Sequence, residues 1–161
     1  MSLDLIETMR GADIPLVARL HARCFFDAWG QDMLRQILAM PGAYGLAARS
    51  GGRGALIGFA LCRVAADECE LLSLGVAPHH RARGVGAKLL SAAMEHAAAA
   101  RARRFFLEVA EDNAPALRLY AAHGLFPVGR RPDYYENADG SRTHAVTMRC
   151  DLPLPARAAS P

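Results

Sequence analysis

Leu71-Leu72-Ser73-Leu74-Gly75-Val76-Ala77-Pro78 runs through His79-His80 into Arg81-Ala82-Arg83-Gly84-Val85-Gly86-Ala87. The first part reads as an apolar strand that Pro78 ends. The second part opens a helix on two glycines. That helix reaches to about Arg101 and carries Val85, Leu89, Ala93 and Ala97 on one face, with Leu90 and Met94 beside them. The first backbone N–H groups of a helix have no partner inside it, and the helix dipole adds partial positive charge there. Glycine lets the backbone approach a ligand closely, and Arg81 and Arg83 add charge. A strand, a turn and a helix start of this make-up suit a diphosphate. The turn is not a P-loop, because Lys88 is followed by Leu89 rather than by a serine or threonine. Neither is it the Gly-x-Gly-x-x-Gly turn of a dinucleotide fold. The residues alone leave one alternative open, an arginine-flanked helix start with no ligand.

Working outward, Leu56–Val64 and Glu68–Val76 read as two strands joined by Ala65-Ala66-Asp67. Upstream, Tyr44–Arg49 is a short strand and the glycine-rich stretch 50–54 a turn. Gln31–Met40 is a helix that stops before Pro41-Gly42. Asp13 is placed to cap an earlier helix with Pro15 in its first turn. Leu16, Leu20 and Cys24 line one face of it, with Val17 and His21 beside them. Leu3–Glu7 alternates as a first strand. Downstream, Phe105–Val109 is a strand. Asn113 caps a helix with Pro115 in its first turn and Gly124 at its end. Leu125–Arg130 and Thr143–Cys150 read as strands, with a loop rich in Asp, Asn and Gly between them. The order is β-α-α-β-β-β-α-β-α-β-β, a single mixed α/β domain over residues 1–152. The proline- and alanine-rich tail 153–161 is expected to be flexible.

The composition agrees with one globular domain. The chain has 161 residues, of which 52% are hydrophobic and 22% charged, enough apolar material for a core. No run approaches the roughly 18 apolar residues of a membrane span, and the N-terminus lacks a signal-peptide pattern. A cytoplasmic protein without a membrane partner is expected. The formal charge of +3 is too small to suggest a nucleic-acid partner. Cys24, Cys62, Cys69 and Cys150 form no CxxC pair, and no Cys/His group has zinc spacing, so no metal is expected. Buried free thiols are the expectation, although Cys62 and Cys69 could face each other across the hairpin.

Three segments together resemble one known family. Arg81-x-x-Gly84-x-Gly86 is similar to the Q/R-x-x-G-x-G/A signature of the GNAT acetyltransferases. Leu107-Glu108-Val109, Asn113, Ala116-Leu117-x-Leu119-Tyr120 and Gly124-Leu125-Phe126 resemble a second segment of the same family. Arg130-Arg131-Pro132-Asp133-Tyr134-Tyr135, Ala138-Asp139-Gly140 and Ala145-Val146-Thr147-Met148 resemble the ending of the ribosomal-protein alanine N-acetyltransferases. The resemblance covers about Leu56 to Leu152; before that only the order of elements and Trp29 fit. It implies the GNAT (acyl-CoA N-acyltransferase) fold, with a mixed central sheet of about seven strands flanked by about four helices. It also implies acetyl-CoA as cosubstrate. The 81–87 turn, with Arg81, Ala82, Arg83, Gly84, Val85, Gly86 and Ala87, is then the pyrophosphate site. Leu74, Gly75 and Val76 form a bulged, splayed strand end that pairs with the pantetheine arm. The Val76 N–H polarises the thioester carbonyl, and Asn113 contacts the cofactor arm besides capping its helix.

The resemblance further implies Glu108 as the base that activates the amine and Tyr120 as the acid that protonates the departing thiolate. Glu108 could instead orient the substrate. Glu70, six residues before Val76, is the other candidate base. An α-amine, with a pKa of about 7.7–8.0, is partly neutral at pH 7, whereas a lysine near about 10.4 is not. An N-terminal acceptor therefore needs only a mild base. Tyr134 and Tyr135 could wall the acceptor slot, or simply pack at a strand edge. Three departures bear on this. Gly75 stands where alanine is usual, which suggests a looser strand. His79-His80 replaces an acidic and aromatic pair. Pro132-Asp133 adds a residue between the arginines and the tyrosines. The leading expectation is acetylation of a protein N-terminus, as on a ribosomal protein. The alternatives are acetylation of a small amine (amino acid, polyamine or antibiotic) and non-catalytic acetyl-CoA binding. The oligomeric state is not legible.

Overall fold

A computed structural model describes residues 4–51 and 54–153. Its elements are β1 (Leu5–Thr8), α1 (Ile14–Cys24), α2 (Gln31–Ala39), β2 (Ala43–Arg49), β3 (Leu56–Ala65), β4 (Glu68–Val76), α3 (Val85–Ala99), β5 (Arg104–Ala110), α4 (Ala114–Ala122), β6 (Phe126–Glu136) and β7 (Arg142–Asp151). The element order is the one read from the sequence. Leu3 and the segment 154–161, expected to be a flexible tail, lie outside the described residues.

The seven strands form one sheet in the order β1-β2-β3-β4-β5-β7-β6. Every neighbouring pair is antiparallel except β4 and β5, which run parallel. The chain between β4 and β5 is α3, the crossover that a parallel connection requires. Both faces of the sheet are covered. On one, Leu89, Leu90, Ala93 and Ala97 of α3 and Tyr120 of α4 pack with Leu71, Phe105, Leu107 and Val109. On the other, Ile14, Val17 and Leu20 of α1 and Leu34 of α2 pack with Phe59 and Leu61. Alternation along β3 and β5 sends successive side chains into the two layers.

Four local expectations are corrected. The buried stripe of α1 is Ile14, Val17, Leu20 and His21, whereas Leu16 is 39% exposed. The helix is turned because His21 holds an interior position through its own hydrogen bonds. Asp13 precedes α1 but makes no side-chain cap. Its carboxylate accepts from the Arg10 backbone N–H at 2.8 Å and pairs with Arg49, which also binds Glu7. Buried at 4% exposure, that carboxylate needs a cation more than the helix needs a cap. The polar stretch after Arg130 is not all loop: β6 continues to Glu136. The register jumps from Arg131↔Ala145 to Tyr135↔Thr143, so Pro132, Asp133 and Tyr134 bulge out opposite His144. Asp133 sits there at φ 54, and its N–H donates to His144 Nδ1 at 3.0 Å.

The fourth correction concerns Gly75. The strand is not loose there. A Cβ on Gly75 would lie 2.6 Å from the Phe59 ring and 3.2 Å from Cys24 Sγ. The fully buried Phe59 fills the space an alanine methyl would need. All four cysteines are free, and Cys62, Cys69 and Cys150 are buried. Cys62 pairs with Leu71 and Cys69 with Val64, so the two are diagonal neighbours across the hairpin, with their thiols in hydrogen-bonding contact.

Candidate active site

The site begins as a gap in the sheet. Parallel pairing of β4 and β5 consists of Glu68↔Arg104, Cys69↔Phe105 and Glu70↔Phe106. Beyond Glu70 the strands part, although β4 runs on to Val76 and β5 to Ala110. A bulge accompanies the parting, at Leu72 rather than at Leu74–Val76: Leu61 pairs with Ser73 and Cys62 with Leu71, which leaves Leu72 extra. Past the bulge, the Ala77 N–H donates to the Ile57 carbonyl at 2.7 Å, so Ala77 faces β3. Alternation turns Gly75 the same way and turns the backbone groups of Leu74 and Val76 toward the gap. The Val76 carbonyl is reached there by Arg81 Nε–H at 3.0 Å and by Cys24 Sγ at 3.6 Å. An open strand edge with outward amides can take an extended ligand as an added strand.

At the end of β4, a short 3-10 turn over Pro78–His80 leads into the exposed Arg81-Ala82-Arg83-Gly84. Gly84 is the N-cap of α3 at φ 83, and Ala82 is also left-handed at φ 61. No side chain caps this helix. Lys88 N–H bonds back to the Gly84 carbonyl at 3.1 Å, while the amides of Val85, Gly86 and Ala87 begin the helix without that option. A Cβ on Gly84 would meet nothing within 4 Å, so open space lies before these amides. Gly86 lies where α3 meets α4: a Cβ there would come within 3.3 Å of Leu119. Asn113 caps α4, its Oδ1 accepting from the Ala116 N–H at 3.3 Å. That leaves its amide NH2 group available to a ligand.

The candidate side chains divide between the two faces. Tyr120 projects from α4 into the α3 layer and is 7% exposed. Burial, then the neighbouring Tyr135, pushes its phenol up to about 12. Glu108 alternates with Leu107 and Val109, so it emerges on the α1 face, and Glu70 does the same opposite Cys69 and Leu71. Burial, then the charge of Glu108, raises the Glu70 carboxyl. Arg131 of β6 reaches Glu108, with Nη1 to Oε1 at 3.3 Å, and its guanidinium lies 4.8 Å from the centre of the Tyr134 ring. Tyr134 and Tyr135 meet edge to face, with ring centres 5.0 Å apart. Burial, then Glu108, pushes Tyr135 up to about 12. The structure therefore gathers Glu108, Glu70, Arg131 and Tyr135 into one electrostatic group beside the gap. Arg81 and Arg83 lie on the exposed turn before α3.

Sequence reasoning passed over Arg131 as a partner of Glu108, because only the sheet order β5-β7-β6 and its register bring the two together. It also passed over His21 and Ser73. Their hydrogen bond, at 3.2 Å, joins α1 to β4 across 52 residues of chain.

The model of the acetyltransferase (GNAT) family matches residues 14–125. The N-alpha-acetyltransferase RimI of Mycobacterium tuberculosis is 36% identical over 152 residues, covering 91% of each chain. A [ribosomal protein bS18]-alanine N-acetyltransferase of Haemophilus ducreyi is 31% identical over 144 residues, covering 89% of this chain and 97% of that one. The crystal structure of the ribosomal-protein-S18-alanine N-acetyltransferase of Escherichia coli superposes with a TM-score of 0.86 at 22% identity, over 98% of this chain and 99% of that one.

Proposed function

The chain belongs to the acetyltransferase (GNAT) family, and from that premise we propose that it transfers an acetyl group from acetyl-CoA to the α-amine of a protein N-terminus. A ribosomal protein is the proposed acceptor, in line with the relatives that act on bS18, and the cytoplasm the proposed compartment. The carrying observation is the gap between β4 and β5, with Tyr120 on one face and Glu108 on the other. Two substrates that enter from opposite faces meet at such a gap without crossing.

The residues fit acetyl-CoA. The open, left-handed Gly84 and the first amides of α3 suit its diphosphate, with Arg83 adding charge. The gap-facing backbone of Leu74 and the N–H of Val76 suit its amide-bearing arm, while the Val76 carbonyl is held by Arg81. The cosubstrate supplies an acetyl thioester, and everything else is done by this chain. Val76 N–H, facing the gap, donates to a carbonyl oxygen placed there. Glu108 accepts the proton that the attacking amine loses, directly or through one water. An arriving α-ammonium competes with Arg131 for the same carboxylate, so Arg131 holds Glu108 in place until the acceptor comes. Tyr120, still protonated at neutral pH, donates to the departing sulfur.

The deciding experiment is an acceptor panel followed by thiol release. It holds short peptides beginning Ala, Ser or Met, an N-terminally blocked lysine peptide, amino acids and polyamines. Release with the free-N-terminus peptides alone is expected. Release with small amines alone would replace the reading by a small-amine acetyltransferase, and bound acetyl-CoA without turnover would replace it by a sensor domain.

The base is tested by comparing two variants. Glu108→Gln is expected to lower kcat about 100-fold, within the usual range for general bases. Glu70→Gln is expected to lose less than about 5-fold. The reverse pattern would move the role to Glu70.

A further inference from the structure

Ser73 lies on β4 just past the bulge at Leu72 and beyond the last β4–β5 pair, with its side chain toward α1. It therefore shares a sheet face with Glu108, on the opposite bank of the gap. His21, 2% exposed, lies behind it among aromatic rings: Phe25, Trp29 and Phe59 have centres 4.6, 4.9 and 5.5 Å away. Its Nδ1 accepts the Trp29 backbone N–H at 3.1 Å, and its Nε2 lies 3.2 Å from Ser73 Oγ. Burial outweighs the nearby Asp27 and lowers its pKa to about 4, so the ring is neutral near pH 7. A neutral imidazole that accepts at Nδ1 carries its proton on Nε2. That N–H donates to Ser73 Oγ, which leaves the serine's own O–H for another acceptor. Among the described residues Ser73 Oγ has no second hydrogen-bond partner.

We propose that Ser73 is the group that reads the acceptor, its hydroxyl donating to the carbonyl oxygen of the acceptor's first residue, with His21 as the positioning residue that orients it. This deepens the protein N-terminus reading and rests on it. A peptide α-amine carries a carbonyl two bonds from the reacting nitrogen, and a polyamine carries none. A hydroxyl across the gap from Glu108 separates the two classes by a group the chemistry itself does not use. Because His21 occupies both ring nitrogens, Ser73 cannot donate back to it, and the hydroxyl is set as a donor.

The test compares two acceptors: a short peptide beginning with alanine, and the same peptide with its first amide replaced by an (E)-alkene, which keeps the shape and removes the oxygen. Ser73→Ala is expected to raise KM for the natural peptide about 5-fold, as the loss of one neutral hydrogen bond does. It should leave kcat, KM for acetyl-CoA and all constants for the alkene peptide within about 1.5-fold. His21→Leu is expected to raise peptide KM similarly, and the double variant to be no worse than Ser73→Ala alone, because the two act as a unit. Equal losses on both peptides, or an unchanged Ser73→Ala enzyme, would overturn the proposal while the N-terminal reading stands. A wild-type enzyme that turns over small amines and no peptide overturns both. Ser73→Ala removes a single oxygen and disturbs packing least, so it decides the matter even if His21→Leu fails to fold.

Discussion

Tyr120→Phe is expected to lower kcat about 100-fold and to leave KM for acetyl-CoA within about twofold, as loss of a general acid does. The ring stays and only the hydroxyl goes, so the packing of Tyr120 against α3 and β5 is kept. Burial pushes the phenol up to about 12, whereas a thiol loses its proton near about 8.5. The hydroxyl therefore remains protonated through neutral pH and is a donor able to stabilise charge on a sulfur. Full transfer of its proton to a thiolate is uphill by about 3 to 4 units in the free enzyme, from these same values. Two results follow. The wild-type profile should show no basic limb from Tyr120 below about pH 10, and better leaving groups should shrink the penalty of Tyr120→Phe. An unchanged kcat in Tyr120→Phe would remove Tyr120 from the chemistry, and a large rise in acetyl-CoA KM would make it a binding residue instead.

The second large effect belongs to Gly84. Gly84→Val is expected to raise KM for acetyl-CoA about tenfold or more and to cost about 1–3 kcal/mol of stability. Space is not the reason, since a Cβ there meets nothing within 4 Å. The reason is φ 83, a left-handed conformation that a β-branched residue adopts only under strain. Relief of that strain turns the peptide planes that aim the first α3 amides. Gly84→Asn separates backbone from bulk, because asparagine tolerates the left-handed region. It should recover most of the loss. Cofactor binding by Gly84→Val equal to wild type would sink the diphosphate reading of this turn.

Much of the fold was legible because it rests on local rules. Periodic patterns together with cap, turn and proline signals placed the eleven elements, and Pro15, Asn113 and Gly124 marked boundaries that hydrogen bonds and backbone angles also mark. The helix-start glycines were legible for the same reason, since an uncapped, left-handed helix start is made by a few consecutive residues. Errors came where a distant partner overruled a local preference. Asp13 left its cap for Arg49. Leu16 gave up the interior to His21, which is bound to Ser73 and the Trp29 backbone. Arg131–Glu136 reads as turn chemistry and yet joins the sheet, because β7 offers it partners and a bulge absorbs the extra residue.

Taken by itself, the sequence determined the order of elements, the glycine-bearing helix start and the residue types able to move a proton. Only the tertiary structure decided that β4 and β5 part after Glu70, that Tyr120 and Glu108 stand on opposite faces of that gap, and that Arg131 and His21 hold their neighbours. The physical reason is range. Propensity, capping and glycine geometry act over a few residues, whereas the register between strands and the pairing of charges depend on chain segments dozens of residues apart.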